Sequence, residues 1–483
     1  MAAQSFYWHD YETFGANPAR DRPAQFAGLR TDADLKPIGE PLVIYARPAD
    51  DYLPHPEACL ITGITPQEAL EKGLPECEFI GRIHAELSAP GTCGVGYNSL
   101  RFDDEFTRFT LYRNLFDPYA REWKNGNSRW DLIDALRAAC ALRPEGIEWP
   151  LREDGLPSFR LEDLTAANGI AHEAAHDALS DVEATLAMAR LLRERQPRLF
   201  DYALRLRDKR VAAQMLDIKS MKPVLHVSGM FGAARHNISL VAPLAPHPTN
   251  RNEILCYDLA LDPTDLVQAD ADTLRERLYT RDADLPAGIR RPGLKSVHIN
   301  RCPMLVPAAM ADAVTAQRLG LDGAACRAHL AQLRDWRDAD PEAFQAKLAA
   351  IQAPRPRESD DDPDTQLYSG GFLDDADRAT LDALRQCSAQ ELAAARPDFR
   401  DPRLPEMLFR YRARNYPDTL DAAERERWDA FRLARLSGEA PGYPLGLEGW
   451  QEDLDLRLAQ LAPASPQAAV LEALQAWGDR LLA

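Results

Sequence analysis

The sequence predicts an α/β domain at the front of the chain, a β-rich domain with helical insertions in the middle, and a helical domain at the end. Three observations predict it. Residues 5 to about 190 alternate between strand-like and helix-like segments, the pattern of a sheet covered by helices. Around 220–320, short apolar runs are broken by Pro, Gly and Asn, the texture of short strands joined by turns. From 372 onward, helical periodicity dominates. A chain of 483 residues is also too long for one core and fits about three domains.

The first strand, 5–12, is rich in aromatics (Phe6, Tyr7, Trp8 and Tyr11), which suit a pleated surface. Further strands are expected at 24–31, 41–47 and 92–97, with helices near 66–71, 76–88, 103–116, 130–142, 160–168 and 177–194. In the last of these, Asp177 caps the start and Leu179, Val182, Leu186 and Ala189 recur at helical spacing. The middle region predicts strands at 223–227, 238–242, 254–259 and 296–299, with helices at 272–279 and 310–335. Segment 353–366 combines Pro354, Pro356 and Pro363 with the run Ser359-Asp360-Asp361-Asp362 and predicts an exposed linker. The expected division is therefore 5–190, 197–352, a linker at 353–366, and 367–483.

Composition excludes some classes. There is no apolar run of 18 residues, so no membrane span is expected, and the amino terminus lacks the basic and apolar segments of a secretory signal. The eight cysteines are scattered with no C-x-x-C pair, which argues against a zinc site or disulfide framework and suits a reducing cytoplasm. The net charge of −18 opposes binding of a polyanion unless the basic residues are gathered into one channel.

Candidate chemistry begins with Asp10 and Glu12. On a strand, alternate side chains share a face, so the two carboxylates stand side by side. Their repulsion is costly without a cation, and a hard divalent metal is the natural one; solvent-facing strands also carry this pattern without a metal. Asp103 lies in the first turn of a helix, where the macrodipole favours an anion whether or not a metal is near. His176 precedes the helix that carries Asp181, so a carboxylate on a rigid helix can hold a metal while the imidazole reaches a water. A lone His before a capping Asp is more often surface decoration.

Taken in order, Asp10-x-Glu12, Asn98…Phe102-Asp103 and His176-x4-Asp181 resemble the DEDDh class of DnaQ-like 3′→5′ exonucleases. Ile61-Thr62-Gly63-Ile64-Thr65 resembles the segment lining that class's terminal-nucleotide pocket, and Phe159-Arg160-Leu161…Gly169-Ile170 agrees. His9–Gly15, Asp21–Phe26, Ala141–Ile147, His226–Gly232 and Tyr411–Asn415 narrow the resemblance to the bacterial exonuclease I family across nearly the whole chain.

The resemblance implies an RNase H-like exonuclease domain with a mixed sheet flanked by helices, an SH3-like domain and a C-terminal helical domain. It implies stepwise degradation of single-stranded DNA to 5′-mononucleotides in repair and recombination, in the cytoplasm, by a monomer. Two Mg²⁺ ions, with Mn²⁺ as a substitute, would be held by Asp10, Glu12, Asp181 and Asp103, with His176 as general base. Glu12, Thr13, Phe14, Thr62 and Arg160 would meet the terminal residues; Arg108, Tyr119, Trp123 and Arg137 would line the strand's path, with Lys222 and His226 adding contacts. Tyr119 and Trp123 also read as interior residues, and Arg410, Arg412 and Arg414 as a DNA contact or a solvated helix face. The family's partner is the acidic tail of the single-stranded DNA-binding protein, which Arg143, Tyr202 and Arg318 would receive; Arg143 also reads as a cation complementing a helix C-terminus. Two other readings remain: an RNA exonuclease of the same fold, set apart by its treatment of the 2′-hydroxyl, and a non-catalytic nucleic-acid adaptor, which would not need all five motif residues.

Overall fold

Strand β1 (Ser5–Thr13) is the strand on which the first unit is built. Its period-2 alternation puts Tyr7 and Tyr11 on one face, in a core with Phe26, Phe79, Ile80 and Ile83, and Trp8, Asp10 and Glu12 on the other. Trp8 Nε1 donates to Thr31 Oγ1 at 3.0 Å, satisfying the one polar atom of a fully buried indole. β1 pairs antiparallel with β2 (Pro23–Thr31) and parallel with β4 (Thr92–Gly96), and β2 pairs antiparallel with β3 (Leu42–Tyr45). The order β3-β2-β1-β4 is thus a mixed sheet.

A computed structural model of the chain describes residues 4–172, 176–353, 361–439 and 446–482. Two units emerge: Met1–Ser128 with His172–Leu186 and Glu358–Ala483, and Arg129–Ala171 with Ala187–Arg357. In the first, the C-terminal helices share cores with the exonuclease-like part of the chain. Trp450, Leu454, Leu471, Leu474 and Trp477 bury against Phe14, Tyr52, Leu53, Cys59 and Ile64. Trp450 Nε1 donates to Pro54 O at 2.7 Å. Met407, Leu408 and Tyr411 of helix Leu404–Asn415 pack with Phe109, Tyr112 and Leu115.

In the second unit, β5 (Ser128–Asp131), which starts at its border, leads into helix Leu132–Leu142. Five further strands, β6 (Val224–Val227), β7 (Ile238–Pro246), β8 (Glu253–Asp258), β9 (Leu294–His298) and β10 (Met304–Pro307), form an antiparallel sheet ordered β10-β6-β7-β8-β9. Helices Gly323–Ala339 and Pro341–Ile351 cover it through Leu330, Leu333, Phe344 and Leu348.

The expected helix at 310–335 is two, Ala313–Arg318 and Gly323–Ala339, because Gly320 takes a left-handed φ of +65° and ends the first. Helix Pro56–Thr62 and strand β10 were not expected; both are short and punctuated by proline. Of the expected linker, 354–360 lie outside the described residues, while Pro363 and Asp364 are buried rather than exposed. No described helix is long and apolar enough to cross a membrane, and the eight cysteines are free.

Candidate metal and nucleotide site

Three separate elements of the first unit bring the acidic residues together. β1 contributes Asp10 and Glu12. Helix Asp103–Arg113 starts on Asp103, whose Oδ1 accepts from Tyr11 N at 3.1 Å and so ties that helix end to β1. Helix Ala178–Arg195 places Asp181 in its first turn, after Asp177 caps it through Ser180 N at 3.2 Å. Gln25 of β2 accepts from Ala178 N at 3.3 Å and fixes the helix start against the sheet. His176 stands just before this helix, exposed, with a φ of +67°. Ligand atoms of Glu12, His176 and Asp181 lie within 4.8 Å of one another.

The electrostatics are those of anions forced together. Burial, then Asp103, Glu12 and Asp181, hold the Asp10 carboxyl well above the usual range. Burial, then Asp181 and Asp103, push Glu12 up to about 9. Burial also raises Asp181, partly offset by His172, whose Nε2 lies 2.5 Å from Asp181 Oδ1. Such a donor set, all hard oxygens with an imidazole at the edge, fits a divalent cation of the Mg²⁺ type.

The cluster opens into a cavity of about 790 Å³, within the range of nucleotide-sized pockets. Thr13, Tyr52, Leu53, His55, Ile61, Thr62, Tyr97 and Asn98 line its other walls. Thr13 and Thr62 are thus both part of the cavity wall. Phe14, also expected at the terminal nucleotide, is not: its side chain is fully buried in the core around Trp450.

Other candidates fall into three groups. Trp123 is 64% exposed with Lys124 Nζ 5.7 Å from its ring centre, so it is not an interior residue. Tyr119 is half-buried against Phe372. Arg160 is exposed beside Glu162, Lys222 is exposed, and Arg137 pairs with Asp134 at 2.8 Å over the Phe159 ring. His226 is buried against Phe231.

A second group is committed internally. Arg108 is buried, its guanidinium held by both oxygens of Glu122 and by Glu105, so its charge is neutralised within the fold. Arg410, Arg412 and Arg414 are neither a DNA contact nor a solvated face. Arg410 pairs with Asp362 and Asp364, Arg412 with both oxygens of Glu424, and Arg414 with Asp51 and Asp364. Arg435 joins them at 2.7 Å from Asp51.

The third group lies in the second unit, at the end of helix Leu132–Leu142. Arg143 donates to Leu142 O and Arg318 to Ala141 O, each at 2.5 Å, so both guanidinia complement the helix C-terminus. Tyr202 donates to Leu305 O at 2.7 Å.

Sequence reading missed His172, Asp21, Tyr52 and His55. For His172 the signal was its four-residue spacing from His176; residues 173–175 between them lie outside the described residues. Asp21 begins the family-like segment Asp21–Phe26, but its contacts with Tyr52 and His55 span 31 and 34 residues, which no linear spacing reveals.

Comparison with known proteins covers the whole chain. Residues 7–189 match the exonuclease family, 207–351 the exonuclease I SH3-like domain, and 361–481 the exonuclease I C-terminal domain. Exodeoxyribonuclease I of Escherichia coli (strain K12) is 49% identical over 478 residues, spanning 99% of this chain and 98% of its own length. That of Haemophilus influenzae is 49% identical over 446 residues, spanning 92% and 93%. Among solved structures, a moderately thermophilic exonuclease I from Methylocaldum szegediense has a TM-score of 0.94 at 50% identity, covering 100% of both chains. Escherichia coli exonuclease I in complex with a dA16 oligonucleotide has a TM-score of 0.93 at 49% identity, covering 99% and 100%. A zinc-bound form of the Escherichia coli complex with single-stranded DNA matches with the same TM-score and identity.

Proposed function

The chain belongs to the exonuclease I family and is an exodeoxyribonuclease, and from that premise we propose that it degrades single-stranded DNA stepwise from the 3′ end with two Mg²⁺ ions. The observation that carries this is the cluster of Asp10, Glu12, Asp103 and Asp181, in which burial and the neighbouring carboxyls raise Asp10 and Glu12 beside a nucleotide-sized cavity. The relatives' complexes with single-stranded oligonucleotides and the zinc-bound form support it.

Asp10, Glu12 and Asp181 would hold the ions, with Asp103 completing the set. Bound there, Mg²⁺ would lower the pKa of the attacking water and neutralise charge on the departing 3′-oxygen. The chain's own part is then definite. β1 and the two helix starts fix the carboxylates before substrate arrives, so little reorganisation accompanies reaction. His176, exposed at the cluster's edge, accepts the water's proton as general base. Thr13, Thr62 and Ile61 bound the space for the terminal nucleotide.

Trp123, Tyr119, Arg137, Arg160 and Lys222 remain assigned to the strand by stacking and phosphate pairing. The domains are assigned as 5–190, 197–352 and 367–483, and the role as DNA repair in the cytoplasm. The second partner is the acidic tail of the single-stranded DNA-binding protein. Two guanidinia on adjacent carbonyls at one helix end supply its positive field, and titrating the tail peptide against Arg143→Ala checks it: equal affinity for both proteins rejects the site.

The deciding experiment incubates the chain and Mg²⁺ with 5′-labelled single-stranded DNA, RNA and duplex DNA in parallel. Ladders descending from the 3′ end of single-stranded DNA alone support the reading. Equal digestion of RNA overturns the substrate, and no digestion overturns the activity.

A further inference from the structure

Besides the acidic cluster, the cavity wall carries a second polar group that the reaction scheme does not use. Asp21 is buried, its Oδ2 accepts from Asn17 N at 2.7 Å, and its Oδ1 lies 3.1 Å from the Tyr52 hydroxyl and 3.3 Å from His55 Nε2. His55 N and the Tyr52 hydroxyl both donate to Phe14 O, at 2.8 and 2.9 Å, which locks this group to the chain leaving β1. Gly15 lies so close that a Cβ there would come within 2.2 Å of Asp21 Oδ2 and 2.7 Å of His55 Cδ2. The imidazole is therefore held in one orientation, with its side chain 41% exposed and facing the cavity.

We propose that His55 is a phosphate-binding residue of this cavity, anchored through Nε2 by Asp21 so that its imidazolium meets a phosphate monoester on the bound terminal nucleotide. This rests on the nucleotide-cleaving function proposed above and adds a residue to its pocket. An imidazolium donates from both ring nitrogens, so with Nε2–H on Asp21 the other N–H serves a ligand.

The charges around His55 favour that protonated form. Asp21 faces it from the loop after β1, Glu57 from its own helix and Asp453 from helix Leu447–Leu458. Arg457 lies 2.9 Å from Asp453 and 3.4 Å from Glu57, so Asp21 is the anion most directly committed to the imidazole. The same cavity is also lined by Asp10, Glu12, Asp103, Asp181 and Arg20; Asp51, on the lining too, is held by Arg414 and Arg435. The hydrogen bond to Asp21 raises the His55 pKa against the lowering effect of burial, and that same bond helps hold Asp21 low against its own burial. A neutral donor would be enough to recognise a base or sugar. What Asp21 adds is charge, and charge selects the phosphate. The phosphate has two sources: the 5′-phosphate of the released nucleotide, or a 3′-phosphate on a strand end.

The test follows the His55 ring by NMR in the full chain with labelled histidine and EDTA, assigned by its loss in His55→Gln. The pH is titrated alone and with deoxythymidine, its 5′-monophosphate or its 3′-monophosphate. At least one monophosphate should raise the His55 midpoint by at least about half a pH unit, and the nucleoside should not. A response to the 5′ compound alone identifies the product phosphate, and to the 3′ compound alone a phosphate-ended strand; either supports the inference. At pH 6 the monophosphate should bind at least about threefold tighter than the nucleoside, and His55→Gln should abolish that advantage. A midpoint indifferent to both monophosphates, or an advantage that survives His55→Gln, overturns the inference. Digestion of single-stranded DNA by the unaltered chain separates the two proposals. Nuclease activity with a phosphate-indifferent His55 removes only this one; a phosphate-sensing His55 without nuclease activity removes only the assigned reaction.

Discussion

Two buried groups of carboxylates lie in the first unit, and their electrostatics are opposite. Burial alone would raise Asp51 and Asp364, yet Arg414 with Arg435, and Arg414 with Arg410, hold them well below the usual range. Around Asp10 and Glu12 the dominant neighbours are further carboxyls, and both groups are raised. Asp51 even lines the same cavity as Asp10, so distance from solvent does not separate the two cases. What separates them is whether the fold supplies the cation. The arginine-filled group is a structural joint between segments far apart in sequence. The carboxyl-rich group, where His172 meets Asp181 but carboxyls dominate around Asp10 and Glu12, suits a counter-charge supplied from outside, as a metal would supply it.

The largest effect should come from emptying the carboxyl-rich group. Asp10→Ala or Asp181→Ala should lower cleavage by at least about a thousandfold, while binding of single-stranded DNA in Ca²⁺, read by fluorescence anisotropy, survives. Near-normal ladders from either variant would break the comparison at its functional end. His176→Ala should slow single-turnover cleavage by about 10²–10⁴-fold with metal affinity retained; a wild-type rate would place the base elsewhere.

The arginine-filled group should answer in stability instead. Asp51→Ala leaves Arg414 and Arg435 buried beside a missing partner and should cost about 3–5 kcal/mol in urea denaturation. Asp10→Asn in EDTA should cost little or nothing measurable, because a neutral amide replaces a carboxyl whose charged form the site disfavours. Equal losses in the two variants would erase the distinction.

Smaller, and opposite in sign, are the pH effects. Glu12 is raised from 4.5 to about 9, so the folded chain keeps a proton that the unfolded chain releases, and metal-free stability falls as pH rises through that window. Asp51 and Asp364 are depressed, so their stabilisation is complete above the ordinary carboxylate range and is lost only as pH falls below about 4. Thermal unfolding in EDTA should lose at least about 2 °C in Tm between pH 5 and 9, and Mg²⁺ should remove that loss. A flat profile in EDTA would mean the carboxyls of the cluster are not raised.

The same contrast explains what was legible in the sequence. β1 and the helices that begin near Asp103 and Asp177 follow local periodicity, and the spacing of their motifs pointed to Asp10, Glu12, Asp103, His176 and Asp181. Arg410, Arg412 and Arg414 looked like a basic stretch because charge alone says nothing of partners, which lie at Asp51, Asp362, Asp364 and Glu424. Phe14 follows Glu12 and Thr13, yet its side chain turns into a core completed by Trp450, more than four hundred residues away. His55 and Asp21 meet only once loop and helix are folded, and although Asp21 opens a family-like segment, its pairing with His55 is not visible in a linear reading.

If Asp10 and Glu12 receive a divalent ion, their raised carboxyls must give up protons to it. Calorimetric titration of the EDTA-freed chain with Mn²⁺ at pH 7, repeated in buffers of different ionisation heat, measures the protons released per ion bound. The expected result is saturable binding that releases about one proton or more, fewer as the pH approaches 9, with both binding and release impaired in Asp10→Asn. Binding without proton release, or binding unchanged in Asp10→Asn, would contradict it.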